Sequence, residues 1–198
     1  MIKFKNVCQE TPYLLFVEEY NKALESYQKN IESMCVSSFS ADKKEVNARF
    51  VNIKFLTQKE FIFFSNYKSP KAKDFLQHNQ ISGLFFWSNI NMQVRIKAII
   101  KKTDSLFNQK YFYSRDKKKN ALAISSKQSV PIQSYEAIQR NYRIALDKDE
   151  LSECPKYWGG FSFIPYYFEF WEGHESRINK REVFEKVDAE WKQFIIQP

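Results

Sequence analysis

The sequence predicts a mainly β protein with flanking helices, in which a mostly antiparallel sheet forms a barrel. Three observations predict this fold class. Several segments of strand-like length are rich in apolar residues, short turns join neighbouring segments as hairpins, and no regular strand–helix–strand rhythm runs along the chain. A chain of 198 residues can bury its own core, so we expect one domain over residues 1–198.

The first half of the chain is predicted to hold two helices and most of the barrel strands. A helix should begin at Thr11, its expected N-cap, with Pro12 in the first turn, and extend to about residue 29. Ser69 and Pro70 should open a short helix that turns Leu76 inward. The second and third strand candidates should pair as a hairpin, and the candidates are 33–39, 48–56, 60–66, 81–87 and 92–101.

The second half of the chain is predicted to add two capped helices and the last strands. Asp104 should cap one helix and Ser134 the next. Aromatic strands at 163–172 and 177–184 follow. A short helix should then begin at Asp188 and close the chain.

Composition argues against several classes of protein. The net charge is +8, but it comes mostly from lysines spread along the chain, so no nucleic-acid partner is predicted. No apolar run approaches the roughly 20 residues of a membrane span, so no membrane partner is predicted. Cys8, Cys35 and Cys154 are odd in number and lack metal-type spacing, which favours a reduced cytoplasmic setting over a disulfide framework.

The chain has little material for common catalytic centres. Its only histidines are His78 and His174, so neither a histidine-rich metal site nor a Ser-His-Asp arrangement is predicted, and no metal ligand is assigned. No glycine loop of the Walker or dinucleotide type occurs. An enzyme built from this chain would therefore most easily take its reactive group from a cofactor.

The stretch from 158 to 181 concentrates aromatic, glycine and basic residues. If its end is an extended strand, Arg177, Asn179 and Arg181 share one face. The aromatic half could wall a planar ligand, and the arginines could bind an anionic or carbonyl-rich partner. The alternative interpretation is a core hairpin with an exposed basic end, and the residues alone favour it because aromatic strands are mostly core.

Four further cations could bind an anion. Arg49 shares a strand face with apolar residues, and Lys71 lies in a first helical turn, where a cation opposes the helix dipole unless an anion is bound. Tyr111 and Arg115 are four residues apart on one helix, and Lys119 joins them if the helix continues. Each set is either a phosphate clamp or an ordinary solvated surface.

Several segments, taken together, resemble the pyridoxamine/pyridoxine 5'-phosphate oxidase family of FMN-dependent enzymes. They follow the family's order, lie close to its spacing and cover about residues 11–198. They are RFVNIK at 49–54, FFSN at 63–66 with Lys71, Trp87 with QVR at 93–95, YFYSR at 111–115, KQS at 127–129, WGG at 158–160, and EFW at 169–171 through Arg177 and Arg181.

This resemblance implies a Greek-key-like, antiparallel FMN-binding split β-barrel with a family-specific segment at about 155–198. It also implies a homodimer with FMN at the subunit interface, in which Arg49 and Lys71 hold the FMN phosphate. Further FMN contacts implied within one subunit are Phe50, Val51, Lys54, Phe64, Ser65 and Gln93. Contacts implied from the partner subunit are Gln128, Ser129, Trp171 and Arg181.

The resemblance also implies a substrate and a reaction. Lys54, Tyr111 and Arg115 would surround the phosphate of pyridoxine or pyridoxamine 5'-phosphate, and Arg177 would lie over the pyridine ring. The substrate would be oxidised to pyridoxal 5'-phosphate by hydride transfer to the flavin, and dioxygen would reoxidise the flavin with release of hydrogen peroxide. Arg177 and Asn179 would be the catalytic pair.

Four positions depart from the family pattern. Asn179 stands where the family has a histidine, and Lys119, also a predicted substrate contact, stands where it has a phosphate-binding serine. Pro70 and Met92 each replace an arginine near the flavin. These departures keep two alternatives open: an FMN-dependent oxidase of another ring compound, as in the phenazine-forming oxidases, and a flavin- or pyridoxal-phosphate-binding protein without catalysis.

Overall fold

The computed structural model describes residues 1–147 and 150–198 as a ten-stranded sheet flanked by five α-helices, which confirms the mainly β fold class. The strands are Lys3–Lys5 (β1), Ser33–Ser40 (β2), Glu45–Asn52 (β3), Phe55–Thr57 (β4), Glu60–Asn66 (β5), Gln80–Trp87 (β6), Met92–Lys102 (β7), Trp158–Glu172 (β8), Lys180–Val187 (β9) and Glu190–Ile195 (β10). The helices are Thr11–Glu25 (α1), Pro70–Gln77 (α2), Ser105–Tyr113 (α3), Lys117–Ser125 (α4) and Tyr135–Leu146 (α5).

The sheet branches at β8, its longest strand. The main strand order is β1-β4-β5-β8-β7-β6-β2-β3, and β9 and β10 extend from β8 as a hairpin. The first half of β8 pairs with β5 and its second half with β9, while β7 follows it along both halves. Among the pairings of the described residues, only β1 with β4 is parallel, so the predicted antiparallel character is confirmed.

Helix α1 covers one side of the core with an aromatic face. Tyr13, Phe16 and Tyr20 are buried at helical spacing, and Phe16 and Tyr20 contact Trp87 of β6. The helix ends at Glu25 rather than near residue 29, and Thr11 is its first helical residue rather than its N-cap. The stop has a local cause, because Tyr27 takes a φ of 58°, a left-handed conformation that does not continue an α-helix.

The predicted hairpin of 48–56 with 60–66 is correct only in its turn. The predicted first strand is interrupted after Asn52. The short strand β4 forms the hairpin with β5, whereas β3 pairs with β2. This interruption between β3 and β4 lets β3 separate from the β4–β5 hairpin, and space opens between β3 and that hairpin. The prediction for Leu76 is also wrong, because 61 % of that side chain's surface is exposed.

The C-terminal helix predicted from Asp188 is a strand instead. β9 and β10 form a hairpin whose two turn residues, Asp188 and Ala189, both have positive φ (49° and 72°). Such a turn matches the twist of the flanking strands. Trp191 on β10 packs against Phe168, and its indole nitrogen donates to Glu10 at 2.7 Å, so tertiary contacts favour the strand.

The glycine pair at the start of β8 allows helix α3 to approach the sheet. A Cβ atom on Gly159 would lie 2.2 Å from the Tyr67 hydroxyl oxygen, so a side chain cannot be accommodated there without movement. Asn108 of α3 fills this contact: its Oδ1 accepts from the Gly160 backbone N–H at 2.8 Å, and its Nδ2 donates to the Tyr67 hydroxyl at 3.0 Å. This buried network fixes α3, and with it the side chains that follow in sequence.

Replacing Asn108 with alanine is expected to lower the free energy of unfolding by about 2–4 kcal/mol, because the Gly160 N–H would stay buried without an acceptor. Chemical denaturation of both proteins measures this change. Gln109→Ala, at an exposed position next to it on the same helix, is the matched control and should change stability by less than about 0.5 kcal/mol. A similar loss in both variants would contradict the prediction.

Within the residues that the structure describes, no helix is long and apolar enough to cross a membrane. The same residues contain no group of three or more histidine, cysteine or acidic side chains that could hold a metal ion. Cys8, Cys35 and Cys154 are all unpaired.

Candidate functional site

One cavity brings together most of the predicted site residues. It has a volume of about 740 Å³ and lies where β3, β5 and α2 meet the junction of α3 with α4. The break between β3 and β4 forms part of its wall. The predicted residues that line it are Arg49, Phe50, Val51, Lys54, Phe64, Ser65, Lys71, Tyr111, Arg115, Lys119, Gln128 and Ser129.

Arg49 and Lys71 form one cationic wall of this cavity. Lys71 is buried, and its ammonium group lies 3.4 Å from the hydroxyl oxygen of Ser69. Burial and, secondarily, the charge of Arg49 lower the pKa of Lys71 to about 8. Burial also lowers the pKa of Arg49, although the Asp74 carboxylate opposes that shift. Two cations that are difficult to keep charged side by side favour a shared anionic ligand.

Arg115 and Lys119 form a second cationic wall, across the junction of α3 and α4. The helix does not continue through this region as predicted: α3 ends at Tyr113, and Asp116 caps α4 by accepting from the backbone N–H groups of Lys118 and Lys119. Both cations still line the cavity. Burial lowers the pKa of Arg115, and its Nη1 is buried without a hydrogen-bond partner.

Lys54 contributes to the same cavity and has a carboxylate neighbour. Its ammonium group lies 3.4 Å from Glu32, which also pairs with the N-terminal ammonium group at 3.1 Å. Lys3, from β1, lines the cavity as well. The carboxylate of Glu32 is thus shared between two cations and neutralises Lys54 only in part.

Stacked aromatic rings form part of the cavity wall. The rings of Phe64 and Tyr111 stack at 4.0 Å, and those of Phe64 and Trp158 stack at 5.1 Å. The guanidinium of Arg115 lies 4.5 Å from the Trp158 ring centre. These stacked rings fix the plane of the Arg115 guanidinium. They also give the cavity an aromatic wall of the kind that binds planar rings.

Gln128 and Ser129 lie in this chain's own cavity. Gln128 Oε1 accepts from the Ser65 hydroxyl at 3.2 Å and from the Asn66 backbone N–H at 3.3 Å. Ser129 has a φ of 64°, so the backbone turns sharply at this point. The resemblance implies contacts from both residues to the partner's flavin, and this role stays a prediction; within one chain both line the cavity, and Gln128 lies beside β5.

A second group of predicted residues lies outside the cavity, in one row across three strands. Gln93 on β7 pairs with Trp171 on β8, which pairs in turn with Arg181 on β9. Arg181 is fixed by Glu169, because its Nε and Nη2 atoms donate to one carboxylate oxygen at 2.8 and 2.7 Å. The row is therefore an ordered strip of the sheet surface.

Glu169 is a buried carboxylate that sequence reasoning did not assign. Its second oxygen accepts from Arg95 Nη1 at 2.7 Å and from the Tyr167 hydroxyl at 2.9 Å, and 1 % of its surface is exposed. Burial, the hydrogen bond to Glu169 and its charge raise the pKa of Tyr167 to about 12. Two arginines and a tyrosine compensate the buried charge, so this cluster is a structural support for Arg181.

Arg177 and Asn179 lie on the turn that joins β8 to β9, because β9 begins only at Lys180. The prediction that they share a strand face with Arg181 is therefore wrong. Arg177 is exposed and has a φ of 61°, and the side-chain oxygen of Asn179 accepts from the His174 backbone N–H at 2.9 Å. Asn179 stabilises this turn, and neither residue lines the cavity. Their catalytic role stays a prediction.

Some cavity residues were not predicted as site residues. Trp158 belongs to the WGG motif, and its position between aromatic and basic neighbours is the signal that could have identified it. Lys3 reaches the cavity through the parallel pairing of β1 with β4, which no local pattern indicates. The others are Asn52, Pro70, Ser114 and Asp116.

Two solved structures share this fold. PhzG from Burkholderia lata 383, solved in complex with tetrahydrophenazine-1-carboxylic acid, has a TM-score of 0.89 at 20% sequence identity, covering 94% of this chain and 92% of that one. A pyridoxamine 5'-phosphate oxidase-related, FMN binding protein from Nostoc punctiforme has a TM-score of 0.77 at 12% identity, covering 96% and 100%. The chain therefore has the split β-barrel fold of these two proteins.

Sequence comparisons identify the family within that fold class. A family model described as pyridoxamine 5'-phosphate oxidase matches residues 17–145, and one described as the pyridoxine 5'-phosphate oxidase C-terminal dimerisation region matches residues 158–198. The pyridoxine/pyridoxamine 5'-phosphate oxidase 1 of Hydrogenovibrio crunogenus is 32% identical over 96% of this chain and 89% of its own length. The corresponding protein of Leptospira interrogans is 29% identical over 94% and 88%. The chain belongs to the pyridoxamine 5'-phosphate oxidase family and is an oxidoreductase.

Proposed function

We propose that this protein uses FMN to oxidise pyridoxine 5'-phosphate and pyridoxamine 5'-phosphate to pyridoxal 5'-phosphate, with dioxygen as the acceptor and hydrogen peroxide as a product. One observation carries the proposal: a single cavity has two cationic walls, Arg49 with Lys71 and Arg115 with Lys119, and an aromatic surface next to them. Two phosphate esters and two planar rings fit such a cavity.

The residues of the first wall fit the FMN phosphate. Burial and the charge of Arg49 lower the pKa of Lys71, and a phosphate dianion in the cavity would offset both effects. Ser65 and Gln128 offer polar atoms beside this wall, and Phe64 offers a ring. FMN supplies a two-electron acceptor that dioxygen can reoxidise.

The second wall fits the phosphate of the substrate. Arg115 lines the cavity, and its stacking on Trp158 fixes the plane of the guanidinium, so it is already oriented to bind phosphate oxygens. Tyr111 and Lys54 line the same space. No histidine is among the described residues that line the cavity, so these residues would contribute positioning and charge rather than a histidine acid–base group.

A second copy of the chain completes the proposed site. Gln93, Trp171 and Arg181 form an ordered row outside the cavity, and two of the three fall in the segment that matches the dimerisation region. We place this row, with the turn that carries Arg177 and Asn179, against the cavity of the partner, with FMN at the interface. Because Gln93 pairs with Trp171, the proposal moves Gln93 to the partner's side, whereas the resemblance implies a contact from the same subunit. The unpaired cysteines are in keeping with a reducing cytoplasm.

Purified protein tests the proposal directly. We expect a yellow dimer that releases FMN on denaturation and produces hydrogen peroxide when given pyridoxine 5'-phosphate. The matched control is unphosphorylated pyridoxine, which should react far more slowly because the second wall would have no anion to bind. Equal rates with both compounds, or a yellow protein that produces no peroxide, would contradict the proposed substrate.

A second candidate function is oxidation of a different ring compound, and the contacts of Asn179 favour it. Its amide oxygen is used by the His174 backbone N–H, so this side chain supports a turn where the family has an imidazole. A panel of ring substrates without phosphate separates the two candidates. Faster turnover of such a compound than of pyridoxine 5'-phosphate would favour the second.

FMN affinity is expected to fall as the pH rises through about 8. The phosphate dianion binds the protonated form of Lys71, and the free protein loses that proton with a pKa of about 8. Above this pKa the dissociation constant should rise by up to about tenfold per pH unit until the pKa of the FMN-bound state is reached. Fluorescence titration between about pH 7 and pH 9 measures the change.

Two variants control this pH prediction. Lys71→Arg cannot titrate in this range, so its FMN affinity should vary far less with pH. Lys73→Met, at an exposed position on the same helix, should keep the wild-type profile. A profile that is unchanged in Lys71→Arg would assign the pH dependence to another group.

A further inference from the structure

Three buried or half-buried groups from three elements form a hydrogen-bonded chain behind the first cationic wall. Arg49 Nη1 on β3 donates to the hydroxyl oxygen of Ser38 on β2 at 2.7 Å. The Ser38 hydroxyl in turn donates to Asp74 Oδ2 on α2 at 2.8 Å. Asp74 Oδ2 also lies 4.0 Å from Arg49 Nη2. Ser38 and Asp74 are 2 % and 5 % exposed, so water hardly competes for these bonds.

The direction of the hydrogen bonds fixes one edge of the guanidinium. Nη1 is turned inward to Ser38 and approaches the Val36 carbonyl at 3.5 Å, while the side chain as a whole still lines the cavity. A serine hydroxyl that donates to a carboxylate keeps its lone pairs for the arginine. Rotation of the guanidinium would break its hydrogen bond to Ser38 and leave the buried Ser38 oxygen without that donor.

If charge alone determined anion binding at this wall, Asp74 would weaken it. A carboxylate next to Arg49 reduces the positive potential that attracts a phosphate dianion. Pro70 supplies no cation beside Lys71, so the wall consists of only two cations, and one of them has Asp74 behind it. The carboxylate therefore has a role that offsets this electrostatic cost.

We infer that Ser38 and Asp74 are positioning residues, which hold the Arg49 guanidinium in the orientation that binds the FMN phosphate. The inference rests on the proposed function for the identity of the ligand. It adds that phosphate recognition depends on two side chains that do not touch the cofactor, and it applies to the phosphate group rather than to the flavin ring.

The test compares the dissociation constants of FMN and riboflavin, which differ by the phosphate group. Ser38→Ala should raise that of FMN about five- to tenfold and leave that of riboflavin unchanged, because only the phosphate contact loosens. Ser40→Ala is the matched control: Ser40 is also a buried serine on the same face of β2, and the variant should bind both ligands as the wild type does. An equal loss for FMN and riboflavin in Ser38→Ala would reveal a merely structural role and overturn the inference.

A double-mutant comparison tests whether Ser38 acts through Arg49. In an Arg49→Ala background, Ser38→Ala should cause no further loss of FMN affinity. The same five- to tenfold loss in that background would overturn the inference. Asp74→Asn should also weaken FMN binding, although it adds one positive charge to the net charge of the protein; tighter binding would show that Asp74 acts only through its charge.

The outcomes also separate this inference from the proposed function. If the wild-type protein binds FMN no better than riboflavin, no phosphate site exists and both fail. If it prefers FMN, and Arg49→Ala abolishes that preference while Ser38→Ala leaves it intact, the proposed function stands and only the positioning role is overturned.

Discussion

Replacing Arg115 with alanine is expected to lower kcat/KM for pyridoxine 5'-phosphate by about 10²–10³-fold, while the dissociation constant of FMN stays within about twofold of wild type. Charge-assisted hydrogen bonds to phosphate contribute roughly 1.5–3 kcal/mol each, and a guanidinium can form two of them at once. Arg115 is prepared for such a contact, because it lines the cavity and stacking on Trp158 fixes its plane.

Two further variants make this prediction specific. Arg115→Lys keeps the charge but loses the planar fork, so it should recover only part of the lost kcat/KM. Arg143→Ala, on an exposed part of α5, removes an arginine far from the described cavity wall and should leave kcat/KM unchanged. If Arg115→Ala instead loses FMN in parallel with activity, the two cationic walls do not bind separate phosphates.

Local sequence patterns identified the cations of both walls, but they left a phosphate clamp and an ordinary solvated surface as alternatives. Tyr111 and Arg115 both line the cavity, although α3 ends at Tyr113 and Arg115 lies beyond it. Lys119 lines the cavity as well, because Asp116 caps a new helix directly after the break. Lys71 followed a serine–proline helix start, which indicated a cation facing free backbone N–H groups. These features depend on neighbours within one or two helical turns, so the sequence is sufficient to predict them.

Long-range features were not predictable in the same way. The chain carries no local mark of the interruption between β3 and β4, which leaves β3 paired with β2 and β4 with β5, or of the contact between Ser38 and Asp74 across 36 positions. The turn at 188–189 carries an aspartate that also suits a helix N-cap, and only the packing of Trp191 decides for a strand. Tertiary contacts override local propensity at these points.

Replacing Arg49 with alanine is expected to raise the dissociation constant of FMN by about 10–100-fold, because one of the two cations that bind its phosphate is lost. The KM of the substrate at saturating FMN should be unchanged, since Arg115 and Lys119 belong to the other wall. Equilibrium titration with FMN and steady-state kinetics measure the two effects, and Arg140→Ala, at an exposed position on α5, is the control.

The same variant should also change how FMN binding depends on pH. The charge of Arg49 is one of the two causes that lower the pKa of Lys71, so its removal should move that pKa upward from about 8. FMN affinity in Arg49→Ala should therefore begin to fall at a higher pH than in the wild type, although it is weaker throughout. A loss of affinity with the pH midpoint unmoved would show that Arg49 and Lys71 do not interact, and that FMN does not neutralise them as a pair.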